Sequence, residues 1–289
     1  MKQPGSEAVL SAVDRLGRWE GADRLIDAVR KAVEAVPLGP GVRDVLHGRQ
    51  IGHPLHPVLV QVPVGTWLSA GVLDLLPGVR GAQSVLIGVG LVTAFPSAVA
   101  GWADWAQLSP EQQRVGVVHA ASNGVAVMLF AGSLAARLRG RHGLGKLLGF
   151  AGLTATGAGG ALGGHLAYRQ AAGANHADYV RQVVPPGWHR LADLTELPIG
   201  EPIRRHLDDV PVLVVREDER TVHVLADRCG HLAGPLSEGE LTDGCVRCPW
   251  HGSEFRLSDG WNVRGPATAP QPCFAVRIVS GRVEVRLEG

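Results

Sequence analysis

The sequence predicts a membrane α-helical bundle of four transmembrane helices followed by a small all-β domain. Three observations carry that expectation. Residues 57 to 170 contain four long apolar stretches, about 57 to 76, 83 to 102, 115 to 136 and 146 to 167, and the acids there are Asp74, Asp104 and Glu111 alone. Each stretch approaches the ~20 residues a helix needs to cross the hydrocarbon core. Residues 210 to 289 read instead as short β-branched runs separated by turns, such as Val210–Val215, Thr221–Leu225 and Phe274–Val279. Two Cys/His loops, Cys229-Gly-His231 and Cys248-Pro-Trp-His251, fall within that last region.

Residues 1 to 50 form a polar segment expected to be helical. Leu25, Ile26, Val29, Val33 and Val36 recur at helical spacing, and Pro37-Leu-Gly-Pro40 marks an end. No secretory signal pattern opens the chain. Acids and bases nearly balance, so a soluble helix packed on its own domain is as good a reading as one lying in the membrane interface.

The bundle is expected over residues 51 to 170. Its last stretch is rich in glycine (Gly149, Gly152, Gly157, Gly159, Gly160, Gly163 and Gly164), which permits close helix contact. Four spans place the N-terminus, the loop between the second and third helices, and the C-terminus on one side. His53, His56, His119 and His165 all fall at that side. His119 and His165 share a depth of ~6 Å inside the boundary at 1.5 Å per residue. Two such histidines could hold a haem b, and ionisable residues in a membrane are functional candidates. His53 and His56 could ligate, bind a quinone oxygen or cap the first helix. Satisfied structural histidines are the plain alternative.

Gly52-His53-Pro-Leu-His56-Pro57, Gly101-Trp-Ala-Asp104 and Gly163-Gly-His165-Leu resemble the signature of a bacterial membrane-domain family catalogued as a domain of unknown function, the 2231 type. That resemblance implies a membrane location and supplies no mechanism. A linker over 171 to 188, containing Pro185-Pro186, separates this part from a β-domain over 189 to 289.

Two loops that each give one Cys and one His can hold a [2Fe-2S] cluster, thiolates on one iron and imidazoles on the other. A tetrahedral zinc accepts the same four ligands, although most Cys2His2 zinc modules put ligands on a helix. The loops, with Leu236 and Gly239 after the first, His251-Gly-Ser-Glu-Phe255 continuing the second, and Gly265-Pro266-Ala267 downstream, resemble the Rieske iron-sulfur family. The resemblance implies that Cys229 and Cys248 bind one iron, that His231 and His251 bind the other, exposed iron, and that the loop at Gly265 and Pro266 covers the cluster.

Quinol-oxidising members carry a disulfide between the loops. Here its places are held by Gly234 and Trp250, which leaves Cys245 and Cys273 as plain buried thiols. High-potential members also direct a Ser and a Tyr hydroxyl at sulfur, and this chain has Ser253 but Phe255. A potential below the quinol-oxidising class, and above ferredoxins lacking both hydroxyls, is expected.

A formal net charge of +1 gives no reason to expect nucleic acid. No dinucleotide-binding glycine pattern after a strand, nucleophile elbow or facial triad is evident. The function expected is single-electron transfer by the electron-transfer component of an oxidoreductase system, without independent substrate chemistry. A membrane redox or iron-sulfur sensor is the alternative from another class. A Rieske donor to a soluble oxidoreductase, with the helices only as an anchor, is a second. The expected location is the cell membrane, multi-pass, with the β-domain cytoplasmic. Donor, acceptor and oligomeric state are left open.

Overall fold

A computed structural model describes residues 4–77 and 81–288, with side chains from residue 11 onward. The chain divides into two compact units, residues 1–38 with 55–172, and residues 39–54 with 173–289. Helices α1 (Pro4–Gly17) and α2 (Asp23–Glu34) precede the crossing into the second unit, which receives α3 (Pro40–Leu46). The chain then returns through α4 (His56–Leu59), α5 (Gln61–Leu73), α6 (Ala82–Trp105), α7 (Pro110–Leu138) and α8 (His142–Gly164). A π-helical turn, His165–Arg169, ends the run, and α9 (Val180–Val183) belongs to the second unit.

Local chemistry explains these limits. Pro63 lacks the N–H that would bond the Leu59 carbonyl, so the first apolar stretch is broken into α4 and α5. Ser109 and Gln112 start α7 with reciprocal side-chain to main-chain bonds, and Pro110 takes the first helical position. Two helices among the described residues, α6 and α7, are long and apolar enough to cross a membrane. The first stretch falls short through its break, and α8 through the glycines and threonines that lower its mean hydropathy.

Inside the helical unit, Trp67 stacks on Phe130 with ring centroids 4.3 Å apart, both buried. Glycines make this contact close: a Cβ at Gly152 would meet the Phe130 ring at 2.9 Å. Asp74 and Arg137 form a buried ion pair at 2.9 and 2.5 Å, and the Ser133 hydroxyl accepts from Arg137 Nε at 3.3 Å. Large apolar side chains meanwhile point outward, among them Leu68, Val85, Val92, Phe95 and Met128. The unit thus joins an apolar core and one buried ion pair to an outer surface that is also apolar.

The second unit contains two antiparallel sheets. Strands β1 (His189–Asp193), β2 (Pro202–Leu207), β3 (Val210–Arg216) and β4 (Val222–Ala226) lie in the six-stranded sheet. The four-stranded sheet is β5 (Glu240–Thr242), β6 (Cys245–Arg247), β7 (Glu254–Arg256) and β8 (Asn262–Arg264), paired in that order. Strands β9 (Cys273–Val279) and β10 (Arg282–Leu287) complete the first sheet, in the order β1-β10-β9-β4-β3-β2.

β3 is buried on both faces because its side chains alternate between two cores. Val212 and Val214 pack with Val180, Val224 and Val285, whereas Leu213 and Val215 pack with Leu236, Val246 and Phe255. The second core is the floor on which the two Cys/His loops stand. The expected helical region followed by an all-β domain is what the structure contains.

Candidate metal centre

The first loop leaves β4 and the second spans β6 to β7. Each is closed by the same pair of main-chain bonds around its cysteine. Cys229 N–H donates to the Gly234 carbonyl and Ala233 N–H to the Cys229 carbonyl, both at 2.8 Å. Cys248 N–H donates to the Ser253 carbonyl at 2.8 Å and Gly252 N–H to the Cys248 carbonyl at 3.1 Å. The residue four positions after each cysteine takes a positive φ, 61° at Ala233 and 73° at Gly252. Glycine at the second position relieves the left-handed conformation, while alanine at the first accepts it.

These closures bring the two sulfurs together and the two imidazoles together. Cys229 and Cys248 are buried and their side chains are in hydrogen-bond contact. Further donors converge on them: the His231 N–H and the Ser253 hydroxyl on Cys229, and the Trp250 and His251 N–H groups on Cys248. The shared contact comes first among the causes for both thiols. It holds Cys248 down to about 6 and pushes Cys229 well up.

The His231 and His251 rings stand edge to face, 4.8 Å between centroids. Burial first, then the neighbouring His251, His47 and His176, push the His231 imidazole down to about 3, and burial lowers His251. Both imidazoles are therefore neutral near pH 7 and keep a lone pair for a metal. His231 Nδ1 is buried with no hydrogen-bond partner. A buried polar atom left alone in this way calls for a ligand.

The residues present fit a two-iron cluster. Two sulfurs sit on the buried side and two neutral imidazoles on the outer side.

The remaining expected residues fall as follows. Ser253 is fully buried, and its oxygen also accepts from Ala267 N–H at 2.9 Å. Phe255, fully buried on β7, packs into the core beneath the loops. Gly265 and Pro266 lie in the turn after β8, and Asn262 Nδ2 bridges that turn to the Ala267 carbonyl at 3.1 Å. Cys273 is buried and Cys245 partly so, and both are free thiols.

Of the four other histidines, His53 lies in the second unit, exposed, with Nδ1 3.0 Å from the Pro54 carbonyl. In the helical unit the ring that His119 faces is His56, at 6.1 Å and edge-on, not His165. His56 Nδ1 lies 2.8 Å from the Ser97 carbonyl and His119 Nδ1 2.7 Å from that of Gly159. Asn123 Nδ2 reaches His119 Nε2 at 3.2 Å. His165 starts the π-helical turn, its Nε2 4.0 Å from Asp14 Oδ1.

Other residues that support the loops carry no local signature. Buried Gln271 accepts from Gly230 N–H at 3.2 Å and donates to the Ala226 carbonyl at 2.8 Å. Buried Asp227 pairs with Arg204 at 2.6 Å and accepts from Ser237 N–H at 2.7 Å. His47 and His176 approach His231 from segments remote in sequence.

Comparison with known proteins agrees with this geometry. A family model described as Rieske [2Fe-2S] domain matches residues 187–275, and one described as Predicted membrane protein (DUF2231) matches residues 52–176. The Anthranilate 1,2-dioxygenase ferredoxin subunit of Burkholderia cepacia is 35% identical over 100 residues, 35% of this chain and 92% of that protein. Ferredoxin CarAc of Metapseudomonas resinovorans is 30% identical over 100 residues, 34% of this chain and 92% of that protein. The oxygenase component of Dicamba O-demethylase of Stenotrophomonas maltophilia is 40% identical over 63 residues, 22% of this chain and 17% of that protein. Among solved structures, the complex of reduced oxygenase and oxidized ferredoxin in carbazole 1,9a-dioxygenase contains a chain that is 28% identical. That match covers 34% of this chain and 92% of the other, with a TM-score of 0.32. Two buried thiols, two neutral imidazoles and a ferredoxin relative matched over nearly its whole length lead to one assignment: the chain belongs to the Rieske [2Fe-2S] family through its β-unit, which it joins to a DUF2231 predicted membrane domain.

Proposed function

We propose that the chain is a membrane-anchored Rieske protein that passes single electrons. In this reading Cys229 and Cys248 hold one iron as thiolates, and His231 and His251 hold the other as neutral imidazoles. The carrying observation is the sorting of four side chains into a buried sulfur pair and an outer imidazole pair 4.8 Å apart, with His231 Nδ1 unpartnered. When bound, the cluster supplies one-electron chemistry whose equilibrium depends on pH through its imidazoles. The chain's own part is to bury the thiolates, donate main-chain N–H groups to them, and aim the Ser253 hydroxyl at Cys229. Phe255 brings no second hydroxyl. The potential accordingly lies below that of quinol oxidisers and above that of ferredoxins with neither group.

Two relatives matched over 92% of their length are named as ferredoxins, and the oxygenase component is matched over 17%. That contrast supports a carrier whose donor and acceptor are separate redox proteins. The helical unit serves as the anchor. Its outward apolar side chains and buried Asp74–Arg137 pair support four spans, α6 and α7 flanked by the α4–α5 and α8 stretches. The Rieske domain then faces the cytoplasm. His56 and His119, each with Nδ1 at a main-chain carbonyl, are read as structural histidines rather than a haem b or quinone site.

The test is the full chain purified in detergent. Two irons and two acid-labile sulfides per chain, with a rhombic electron paramagnetic resonance signal on reduction that is lost in Cys229→Ser and His251→Ala, are expected. Stoichiometric zinc without sulfide would sink the cluster reading. The reduced-minus-oxidised spectrum also decides the anchor: sharp α and Soret bands lost in His119→Ala would replace structural histidines with a haem. Protease digestion of residues 189–289 in inverted but not right-side-out vesicles is the outcome expected for a cytoplasmic domain.

A further inference from the structure

Residues 39–54 share a compact unit with the β-sheets, and the contact they make falls on the loop beside the metal centre. Asp44, 9% exposed, sits near the end of α3. Its Oδ1 accepts a hydrogen bond from Gly265 N–H at 3.1 Å, across 221 residues of sequence. Arg49 faces the other carboxylate oxygen, Nε to Oδ2 at 3.2 Å, an ion-pair contact without hydrogen-bond alignment. The same guanidinium donates from Nη1 to the Asn262 carbonyl at 3.3 Å. Arg49 thus grips both the carboxylate that holds Gly265 and the strand from which the loop departs.

From there a connected path leads inward. Asn262 Nδ2 closes the turn onto the Ala267 carbonyl at 3.1 Å, and Ala267 N–H donates to Ser253 Oγ at 2.9 Å. The Ser253 hydroxyl in turn meets the Cys229 sulfur. An ionised carboxylate has acceptors only, and a buried one requires a cation or several donors. Asp44 has the cation, Arg49, and one main-chain donor, Gly265 N–H. Held by Arg49, it fixes an N–H at one end of a three-residue turn whose other end anchors the hydroxyl beside sulfur.

We propose that Asp44 and Arg49 are positioning residues of the redox centre, a latch from outside the Rieske-matched segment that clamps the Gly265–Ala267 turn and thereby aims the Ser253 hydroxyl at sulfur. The proposal rests on the cluster assignment made above. Loosening the latch frees the turn, weakens the donation from Ser253 and lowers the potential in the direction that Ser253→Ala does.

The test uses the full chain with Asp44→Ala, Asp44→Asn, Arg49→Gln, Ser253→Ala and the Asp44→Ala/Ser253→Ala pair. Amide hydrogen exchange in the peptide containing Gly265 reads the latch directly, with or without metal. Asp44→Ala is expected to speed it at least tenfold, and Asp44→Asn, which keeps an acceptor oxygen, to leave it near wild type. Midpoint potentials read the consequence: a fall in Asp44→Ala and in Arg49→Gln, and no further fall when Ser253→Ala is added to Asp44→Ala. Unchanged exchange in Asp44→Ala, or falls that add in the double variant, overturns the proposal. If Asp44→Ala does not fold, Arg49→Gln against Asp44→Asn decides through exchange and potential. A wild-type chain without the rhombic signal defeats the cluster assignment instead, and exchange at Gly265 still decides whether the latch holds the turn.

Discussion

Ser253 and Phe255 occupy neighbouring positions of similar burial and opposite consequence. A hydroxyl beside sulfur stabilises the more negative reduced cluster, and a phenyl ring does not. Ser253→Ala is expected to lower the midpoint potential. Phe255→Tyr should raise it, provided the new hydroxyl finds sulfur from a site that is fully buried. A hydrogen bond to a charged partner is worth ~1.5–3 kcal/mol, so each shift is on the order of 60–130 mV for one electron. A redox titration of the two variants checks both signs, and a Tyr variant that titrates with wild type would show that its hydroxyl points elsewhere. These residues were legible in the sequence because they stand within a few positions of a ligand loop. Asp44 and Arg49 were not, since their partners Gly265 and Asn262 lie more than two hundred residues away.

At the scale of elements, the strands were visible as β-branched runs, and the four apolar stretches as candidate spans. What hydropathy could not supply was helix rotation. Depth along the bundle pairs His119 with His165, whereas the ring beside His119 is that of His56, the first residue of α4. The glycines of α8 did announce close packing, and Gly152 shows how close. Phe130 is buried and covered on its ring face by Trp67, stacked 4.3 Å away, so it has no room to retreat from an added methyl. Gly152→Ala is expected to destabilise the helical unit by about 1–3 kcal/mol through overpacking, read as a lower midpoint of thermal unfolding in detergent. The buried Asp74–Arg137 pair makes a second test. Asp74→Ala strands a guanidinium that is 6% exposed and should cost about 3–5 kcal/mol, while Asp74→Ala with Arg137→Met should recover much of the loss. Equal losses in both variants would mean that the charge is already solvated.

For the molecule as a whole, composition and motif named two kinds of domain in one chain, and the family models agree with that division. Neither indicates that the chain enters the β-unit twice, first at residues 39–54 and again at 173–289. A segment of sixteen residues has too little periodicity to declare its partners. Its allegiance is tertiary, written in single contacts such as Asp44 to Gly265.

That double visit has a consequence for the order of assembly. Synthesis delivers residues 39–54 before α4 to α8, and only afterwards the strands and the Gly265 turn that Asp44 meets. Closing a loop of this length carries an entropic cost that must be met before the Asp44–Gly265 bond forms, and contacts so distant in sequence are late events. Asp44 therefore waits for Gly265 while the helical unit is made. A nascent chain halted before β8 would carry both Cys/His loops yet still lack the turn on which its own N-terminal segment closes.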